Sequence, residues 1–217
     1  RIRALTGRGV HERYGLTETL INCGVPASHA PMPGYVGPPL PGVELKLVDE
    51  HRNELDARDD ESIGEVAVRS AAVFSGYLNR DEATAEVLDE DGWFYTGDVG
   101  SMGEDGTLRL EGRQKDLILR GGENVYPAEV EDAIFEMAQV AEVAVFGIED
   151  ERWGEAGRAV IALKEGQKLT AAQIIDHLNG RLAKYKIPKS VVFVKQLPRN
   201  AAGKVLKTVL RQEHGLS

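Results

Sequence analysis

The chain has 217 residues, of which 42% are apolar and 28% charged, and its formal net charge is −9. This composition is ordinary for a globular protein, and the acidic balance argues against a general nucleic-acid binder. No apolar run reaches the roughly 20 residues that span a bilayer, so we expect no transmembrane segment and a cytoplasmic location. The single cysteine, Cys23, excludes an internal disulfide and is predicted to be a small buried residue.

The first half of the chain has the alternating pattern that is typical of β-strands. Apolar and polar residues alternate over 43–48 and over 64–69, which predicts two half-buried strands. Asp105-Gly106, between Val99 and Leu110, predicts a hairpin, because an Asp-Gly pair tolerates the positive φ of such a turn. The stretch from about residue 30 to residue 110 is therefore predicted to be mostly antiparallel β-structure.

After Arg113 the pattern changes to helices mixed with strands. Pro127 suits a helix start, and apolar residues follow at helical spacing up to Met137. Thr170 and Gln173 have the capping-box pattern of a second helix, and residues 204–212 are predicted to form a third. Strands are predicted over 140–148, 159–163 and 191–194. We expect a mostly β domain over residues 1–114 and a small α+β domain over residues 115–217.

One basic segment stands out from the acidic background. Between residues 181 and 211 the chain has nine basic residues and no acidic one. Such a run is either a solvated face or a local positive field for a polyphosphate ligand, and the sequence leaves both open. The nine residues are Arg181, Lys184, Lys186, Lys189, Lys195, Arg199, Lys204, Lys207 and Arg211.

Four short motifs carry candidate chemistry. They are Tyr14-Gly15-Leu16-Thr17-Glu18, Tyr95-Thr96-Gly97-Asp98, Gly112-Arg113-Gln114-Lys115-Asp116 followed by Gly121-Gly122-Glu123-Asn124, and Gly203-Lys204. In this order and spacing they resemble the adenylate-forming enzymes, and within them the acyl-CoA synthetases. The resemblance runs from about Glu12 to about Arg211.

The resemblance implies an α+β fold in which a mostly antiparallel end portion of a large N-terminal domain precedes a small mobile C-terminal domain. It also leads us to expect that the chain is the C-terminal part of a longer enzyme. The missing N-terminal part of the same chain would carry a Ser/Thr/Gly-rich phosphate loop and most of the acid pocket. We therefore expect residues 1–217 to be inactive alone.

The reaction that the resemblance implies has two steps. A carboxylate attacks the α-phosphate of ATP to give an acyl-adenylate and pyrophosphate, and the thiol of coenzyme A then displaces AMP. By resemblance, Glu18 would bind Mg²⁺, a hard cation that prefers oxygen ligands. Thr17 would bind the α-phosphate, and Tyr14 and Gly15 would pack along the adenine.

The remaining roles follow from the same resemblance. Asp98 would accept the ribose hydroxyls, and Arg113 would contact ribose and phosphate. Lys204 would be the catalytic cation over ATP, and Lys115 the hinge of a rotation between the two steps. Three further residues, Gly121, Gly122 and Glu123, would form part of the tunnel for the pantetheine arm of coenzyme A.

The acid and the acceptor are defined less narrowly. The residues after Glu18 that are available to line an acid pocket are mainly small or apolar, which favours a fatty or aryl tail: Leu20, Ile21, Asn22, Cys23 and Gly24. A fatty acid is the first choice. The open alternatives are a malonyl-CoA or aryl-CoA synthetase, an acyl-AMP ligase that loads a carrier protein, and a non-catalytic module. The oligomeric state is not predicted.

Overall fold

A computed structural model describes residues 5–32 and 34–215. The chain divides into two compact units, Arg1–Gln114 and Lys115–Ser217. Both units combine helices with mostly antiparallel sheets, which confirms the predicted α+β class. None of the described helices is long and apolar enough to cross a membrane.

The first unit contains a two-stranded and a five-stranded sheet. Strands β1 (Arg13–Leu16) and β2 (Leu20–Gly24) pair antiparallel. The larger sheet has the order β3-β7-β6-β5-β4, and every pair in it is antiparallel. Its strands are β3 (Tyr35–Gly37), β4 (Val43–Val48), β5 (Gly64–Ser70), β6 (Phe94–Met102) and β7 (Leu108–Arg113).

The strand predictions for this unit are confirmed, and one helix was missed. The two predicted strands are β4 and β5, and the predicted hairpin joins β6 to β7. In its loop Gly106 has a φ of 76°, and its N–H donates to the Gly103 carbonyl at 2.9 Å. Helix α1 (Asp81–Val87) has no buried residue, so it lacks the apolar stripe that would have marked it in the sequence.

Cys23 lies in the core of the first unit, as the sequence predicts. Its side chain is fully buried and packs with the apolar cluster around Leu47, Val66 and Leu108. Burial raises the pKa of the thiol to about 12, because the thiolate is poorly stabilised away from water. At neutral pH the thiol is protonated and acts as a packing residue.

The second unit is built around one sheet with helices packed on it. The sheet has the order β10-β11-β8-β9, and β12 adds parallel to β11. The strands are β8 (Ile118–Arg120), β9 (Glu123–Val125), β10 (Val140–Asp150), β11 (Gly154–Leu163) and β12 (Ser190–Val194). The helices are α2 (Pro127–Phe135), α3 (Ala171–Leu178) and α4 (Lys207–His214).

Two of the three predicted helices of this unit begin where the sequence places them. Pro127 occupies the first turn of α2, where its missing N–H costs no hydrogen bond. At the start of α3 the capping box is complete, with Thr170 and Gln173 each satisfying a backbone N–H of the other. The apolar stripes of both helices face the core, since Ile134 and Ile174 are fully buried.

The start of the last helix was predicted wrongly. We expected helix over residues 204–212, but α4 begins only at Lys207. Residues 199–205 instead form a tight loop closed by a bridge between Arg199 and Val205. The N–H of Leu206 then donates to the Pro198 carbonyl at 2.8 Å. These non-helical hydrogen bonds hold Lys204 in a loop instead of a helix.

The basic segment is largely neutralised inside the second unit. Six of its nine residues form ion pairs with acidic side chains that precede the segment in the chain. The pairs are Arg181–Glu136, Lys186–Glu129, Lys189–Asp150, Arg199–Glu142, Lys207–Glu131 and Arg211–Asp116. Within the described residues, Lys184, Lys195 and Lys204 form no ion pair, so only part of the run offers charge to a ligand.

Candidate active site

The turn between β1 and β2 presents Thr17 and Glu18, and a glycine makes that turn possible. A Cβ on Gly15 would lie 1.9 Å from the carbonyl oxygen of Leu20, so no other residue fits without moving the backbone. The turn is closed by the N–H of Thr19, which donates to the Leu16 carbonyl at 3.2 Å. At its tip Thr17 is exposed and Glu18 is half-buried.

Three predicted site residues meet beside this turn. The Tyr14 hydroxyl donates to Oδ2 of Asp98 at 2.7 Å, and Nε of Arg113 lies 2.6 Å from Oδ1 of the same carboxylate. Asp98 and Arg113 are cross-strand partners on β6 and β7. Asp98 thus sits within a strand and is only 8% exposed.

The residues before Asp98 fix its position. The Thr96 hydroxyl donates to the Val66 carbonyl at 2.8 Å and accepts the N–H of Asp98 at 3.1 Å. Gly97 has a φ of 69°, and its N–H donates to Oε1 of Glu65 at 2.8 Å. The Thr96-Gly97 pair therefore forms an irregular strand segment whose hydrogen bonds all help to hold the carboxylate in place.

The electrostatics of this cluster leave capacity for a ligand. Burial, followed by the charge of Asp98, raises the pKa of Tyr14, so its hydroxyl stays protonated and donates at neutral pH. Oδ2 of Asp98 accepts the hydrogen bond of Tyr14, Oδ1 forms the ion pair with Arg113, and each oxygen can accept a further hydrogen bond. Arg113 uses its Nε on Asp98, and its two terminal amino groups form no hydrogen bond within the described residues. The cluster can thus accept hydroxyls and donate to an anion.

A depression of about 810 Å³ opens above the cluster. The predicted site residues Tyr14, Gly15, Thr17, Glu18 and Arg113 all line it. A second depression of about 420 Å³ shares Glu18 and Arg113 with the first. Both volumes are in the range of pockets that hold a small-molecule ligand.

The predicted acid-pocket residues divide into two groups. Leu20 and Ile21 line the larger depression and are 64% and 43% exposed. Asn22 and Cys23 are fully buried, and neither of them lines the depression. The expectation that these two residues are accessible to an acid is therefore wrong.

Sequence reasoning missed one contact of the site. The hydroxyl of Tyr77 donates to Oε1 of Glu18 at 3.0 Å, although 59 positions separate the two residues. Tyr77 also lines the smaller depression. The sequence shows only that a glycine, Gly76, precedes Tyr77. In the structure this glycine has a φ of 140°, which other residues rarely adopt.

The predicted tunnel residues occupy the turn between β8 and β9. Gly121 and Gly122 have φ values of 63° and 89°, which only glycine adopts readily. A Cβ on Gly121 would also lie 2.7 Å from the ring of Trp153, whose carbonyl accepts the Gly121 N–H at 2.8 Å. Glu123 follows as the exposed first residue of β9. Trp153 was not singled out from the sequence.

Lys204 and Lys115 lie in two other segments of the second unit. In the loop before α4, Lys204 is exposed, its N–H donates to Oδ1 of Asn200 at 2.9 Å, and Gly203 before it has a φ of 81°. Lys115 is exposed in a 3₁₀ turn, Gln114–Asp116. The structure thus clusters the six candidates of the first unit and distributes Lys115, Lys204 and the Gly121–Glu123 turn over three segments of the second.

Comparison with known proteins matches both units to one family. Residues 1–78 match the AMP-binding enzyme family, and residues 129–204 match the AMP-binding enzyme C-terminal domain. The indoleacetate–CoA ligase of Aromatoleum aromaticum is 42% identical over 97% of this chain and 41% of its own length. A long-chain-fatty-acid–CoA ligase of Bacillus subtilis is 38% identical over 98% of this chain and 38% of its own length.

A solved structure gives the same result. The crystal structure of ATP-bound MatB from Rhodopseudomonas palustris aligns with a TM-score of 0.91 at 43% identity, covering 98% of this chain and 42% of that one. The chain spans about two fifths of the length of the curated relatives it matches. The motifs, the clustered site and these matches agree: the chain belongs to the AMP-binding, adenylate-forming enzymes.

Proposed function

We propose that the protein containing this chain is an acyl-CoA synthetase that activates a carboxylic acid, in the first place a fatty acid, with ATP and transfers the acyl group to coenzyme A. The observation that carries this proposal is the Tyr14–Asp98–Arg113 cluster, of which Tyr14 and Arg113 line one depression together with Glu18. It joins hydroxyl acceptors, a permanent cation and an oxygen ligand for a hard metal, which are the groups that a Mg²⁺-nucleotide requires.

In this proposal the residues of the first unit bind and orient the nucleotide. Asp98 would accept the ribose hydroxyls, while Arg113 would donate to a ribose or phosphate oxygen with its terminal amino groups. Thr17, exposed at the turn tip, would donate to the α-phosphate. Since Tyr14 as a whole is only 6% exposed, packing along adenine would use mainly the accessible backbone of Gly15 beside it.

Mg²⁺ fits this site as an ion that Glu18 and the phosphates of the nucleotide would bind together. Glu18 supplies one hard carboxylate, and the described residues contain no group of three or more His, Cys, Asp or Glu that could hold a metal by themselves. Mg²⁺ in proteins keeps several waters and is commonly bound by one or two carboxylates together with substrate phosphates. When bound, the ion would neutralise phosphate charge, and Glu18 would be its ligand from this chain.

The second unit would supply the residues that differ between the two steps. Lys204, exposed and outside any ion pair among the described residues, would neutralise charge between the acid and the α-phosphate during adenylation. Because Gly121 and Gly122 have no side chains, the pantetheine arm could then approach the backbone of this turn, with Glu123 next to the arm. Both roles require the second unit to change position between the steps.

The contacts within each unit support Lys115 as the hinge. Arg113 is held within the first unit by Asp98, and Asp116 is held within the second unit by Arg211 at 2.9 Å. Only Gln114 and Lys115 lie between these two anchored residues. A rotation that preserves both ion pairs would have to change the dihedral angles of this short link.

Lys115→Pro should separate the two half-reactions in the intact enzyme. A 3₁₀ turn has φ values near the roughly −65° that proline imposes, so this position accepts proline, which should remove most of its dihedral freedom. Provided that the trapped orientation is the adenylating one, adenylate formation should survive while transfer to coenzyme A falls steeply. Single-turnover measurement of pyrophosphate release beside acyl-CoA formation tests this, with Lys115→Ala as a control that retains a flexible backbone. Equal loss of both steps, or loss of neither, would identify Lys115 as an ordinary linker residue.

The function itself is tested with the intact enzyme, ATP, Mg²⁺, coenzyme A and a panel of fatty, aryl and dicarboxylic acids. We expect AMP, pyrophosphate and a fatty acyl-CoA, and no reaction from residues 1–217 alone. A preference for malonate or an aryl acid would select the malonyl-CoA or aryl-CoA alternative. Adenylate formation with transfer only to a carrier protein would select the acyl-AMP ligase, and no adenylate with any acid would favour a non-catalytic module. The cytoplasmic location is part of the same proposal.

A further inference from the structure

Tyr77 lies outside the four sequence motifs but contacts Glu18, the candidate metal ligand. Its hydroxyl donates to Oε1 of Glu18 at 3.0 Å, and both side chains are half-buried. The other carboxylate oxygen, Oε2, receives no hydrogen bond from the described residues. The contact therefore fixes the orientation of the carboxylate and leaves one oxygen available to a ligand.

A second contact ties the same segment to the backbone of Glu18. The N–H of Phe74 donates to the Glu18 carbonyl at 2.8 Å. The rings of Phe74 and Tyr77 pack edge to face, with centroids 4.9 Å apart, and Phe74 packs in the same way on Phe94 of β6. Glu18 is thus held at its backbone by Phe74 and at its side chain by Tyr77, and the two aromatic residues brace each other.

The backbone at Tyr77 is held by helix α1. The N–H of Tyr77 donates to the Thr84 hydroxyl at 2.9 Å, and this hydroxyl donates to the Arg80 carbonyl at 3.0 Å. Gly76 has a φ of 140°, and a Cβ there would lie 2.8 Å from the Thr84 side chain. Helix α1 has no buried residue, and Gly76 has no side chain that would collide with Thr84. Both features therefore help to fix the Tyr77 backbone.

From these contacts we propose that Tyr77 is a positioning residue for the metal-nucleotide complex: it orients the Glu18 carboxylate so that Oε2 faces the ion. The inference rests on the proposed function, because it requires Glu18 to bind Mg²⁺. Tyr77 would act through Glu18 and not as a metal ligand itself.

The test compares the binding of ATP to the intact wild-type enzyme and to Tyr77→Phe by calorimetry, with Mg²⁺ and with EDTA. Removing the partner of a metal ligand typically weakens metal affinity about 10- to 100-fold. We therefore expect Tyr77→Phe to weaken ATP binding about 10-fold with Mg²⁺ and to leave binding in EDTA unchanged. Tyr35→Phe is the matched control, since Tyr35 is a tyrosine of the same unit whose ring faces Arg109 and whose hydroxyl has no carboxylate partner among the described residues.

A double-mutant cycle separates positioning from general support of the fold. If Tyr77 acts through Glu18, Tyr77→Phe should have no further effect on Mg²⁺-ATP binding in a Glu18→Gln background. Thr84→Val, which keeps the hydroxyl of Tyr77 but removes its backbone anchor, should show a smaller loss that again needs Mg²⁺. Thermal melting of each variant reports any change in stability.

The outcomes distinguish this inference from the proposed function. Unchanged Mg²⁺-ATP affinity in Tyr77→Phe, an equal loss with and without Mg²⁺, or the same loss in the Glu18→Gln background would each overturn the positioning role. Failure of the wild-type enzyme to bind ATP at all would instead contradict the proposed function. An unfolded Tyr77→Phe variant, judged by melting, would show that the residue supports the fold and would also overturn the inference.

Discussion

Lys204→Ala should slow adenylate formation about 10²–10³-fold in the intact enzyme, the usual cost of removing one well-placed donor that stabilises developing charge. Thioester formation from a supplied acyl-adenylate should change little, because the lysine acts only in the orientation that places it over ATP. The structure is consistent with such a role, since Lys204 lies in an exposed loop behind a glycine with a φ of 81°.

Pyrophosphate release and acyl-CoA formation are measured separately for this variant. Lys195→Ala is the matched control, because Lys195 is an exposed lysine of the same basic segment and forms no ion pair within the described residues. It should leave both half-reactions unchanged. Comparable slowing of both steps in Lys204→Ala would show that the assigned role is wrong, and a similar defect in Lys195→Ala would point to the general positive field instead.

Asp98→Asn should weaken ATP binding about 10- to 100-fold. A hydrogen bond to a charged group contributes roughly 1.5–3 kcal/mol, and the amide replaces a carboxylate oxygen by a donor that cannot accept a ribose hydroxyl. The substitution also removes the charge that holds Arg113, whose Nε lies 2.6 Å from Oδ1. The Michaelis constant for ATP and the equilibrium binding of AMP are the measurements.

Two variants test whether this effect belongs to the nucleotide site. Tyr14→Phe removes one hydrogen bond from the same carboxylate and should weaken ATP binding less. Glu111→Gln changes another buried carboxylate of the same sheet, which pairs with Arg109 at 3.1 Å and contacts none of the predicted site residues through that pair. It should alter stability without altering ATP affinity. Equal effects of Asp98→Asn and Glu111→Gln on binding would mean that Asp98 only supports the sheet.

The family, most strands and the helix starts at Pro127 and Thr170 were predictable from the sequence alone. Each depends on local information: alternation places side chains on one face of a strand, a proline fixes φ, and a capping box joins residues three positions apart. The motif residues could be named for the same reason, since Tyr14, Glu18, Asp98, Arg113 and Lys204 stand in short recognisable segments.

Features that depend on distant contacts needed the tertiary structure. The hydrogen bond of Tyr77 to Glu18 crosses 59 positions, and the carboxylate of Asp98 is held by Tyr14, 84 positions away. The start of α4 was misplaced because loop hydrogen bonds around Lys204 override the helical pattern. Ion pairs with acidic residues that precede the 181–211 segment likewise decide how many of its basic side chains can offer their charge to a ligand. Local periodicity records which face of a strand is buried, whereas the partner of a polar side chain is decided only when the sheets assemble.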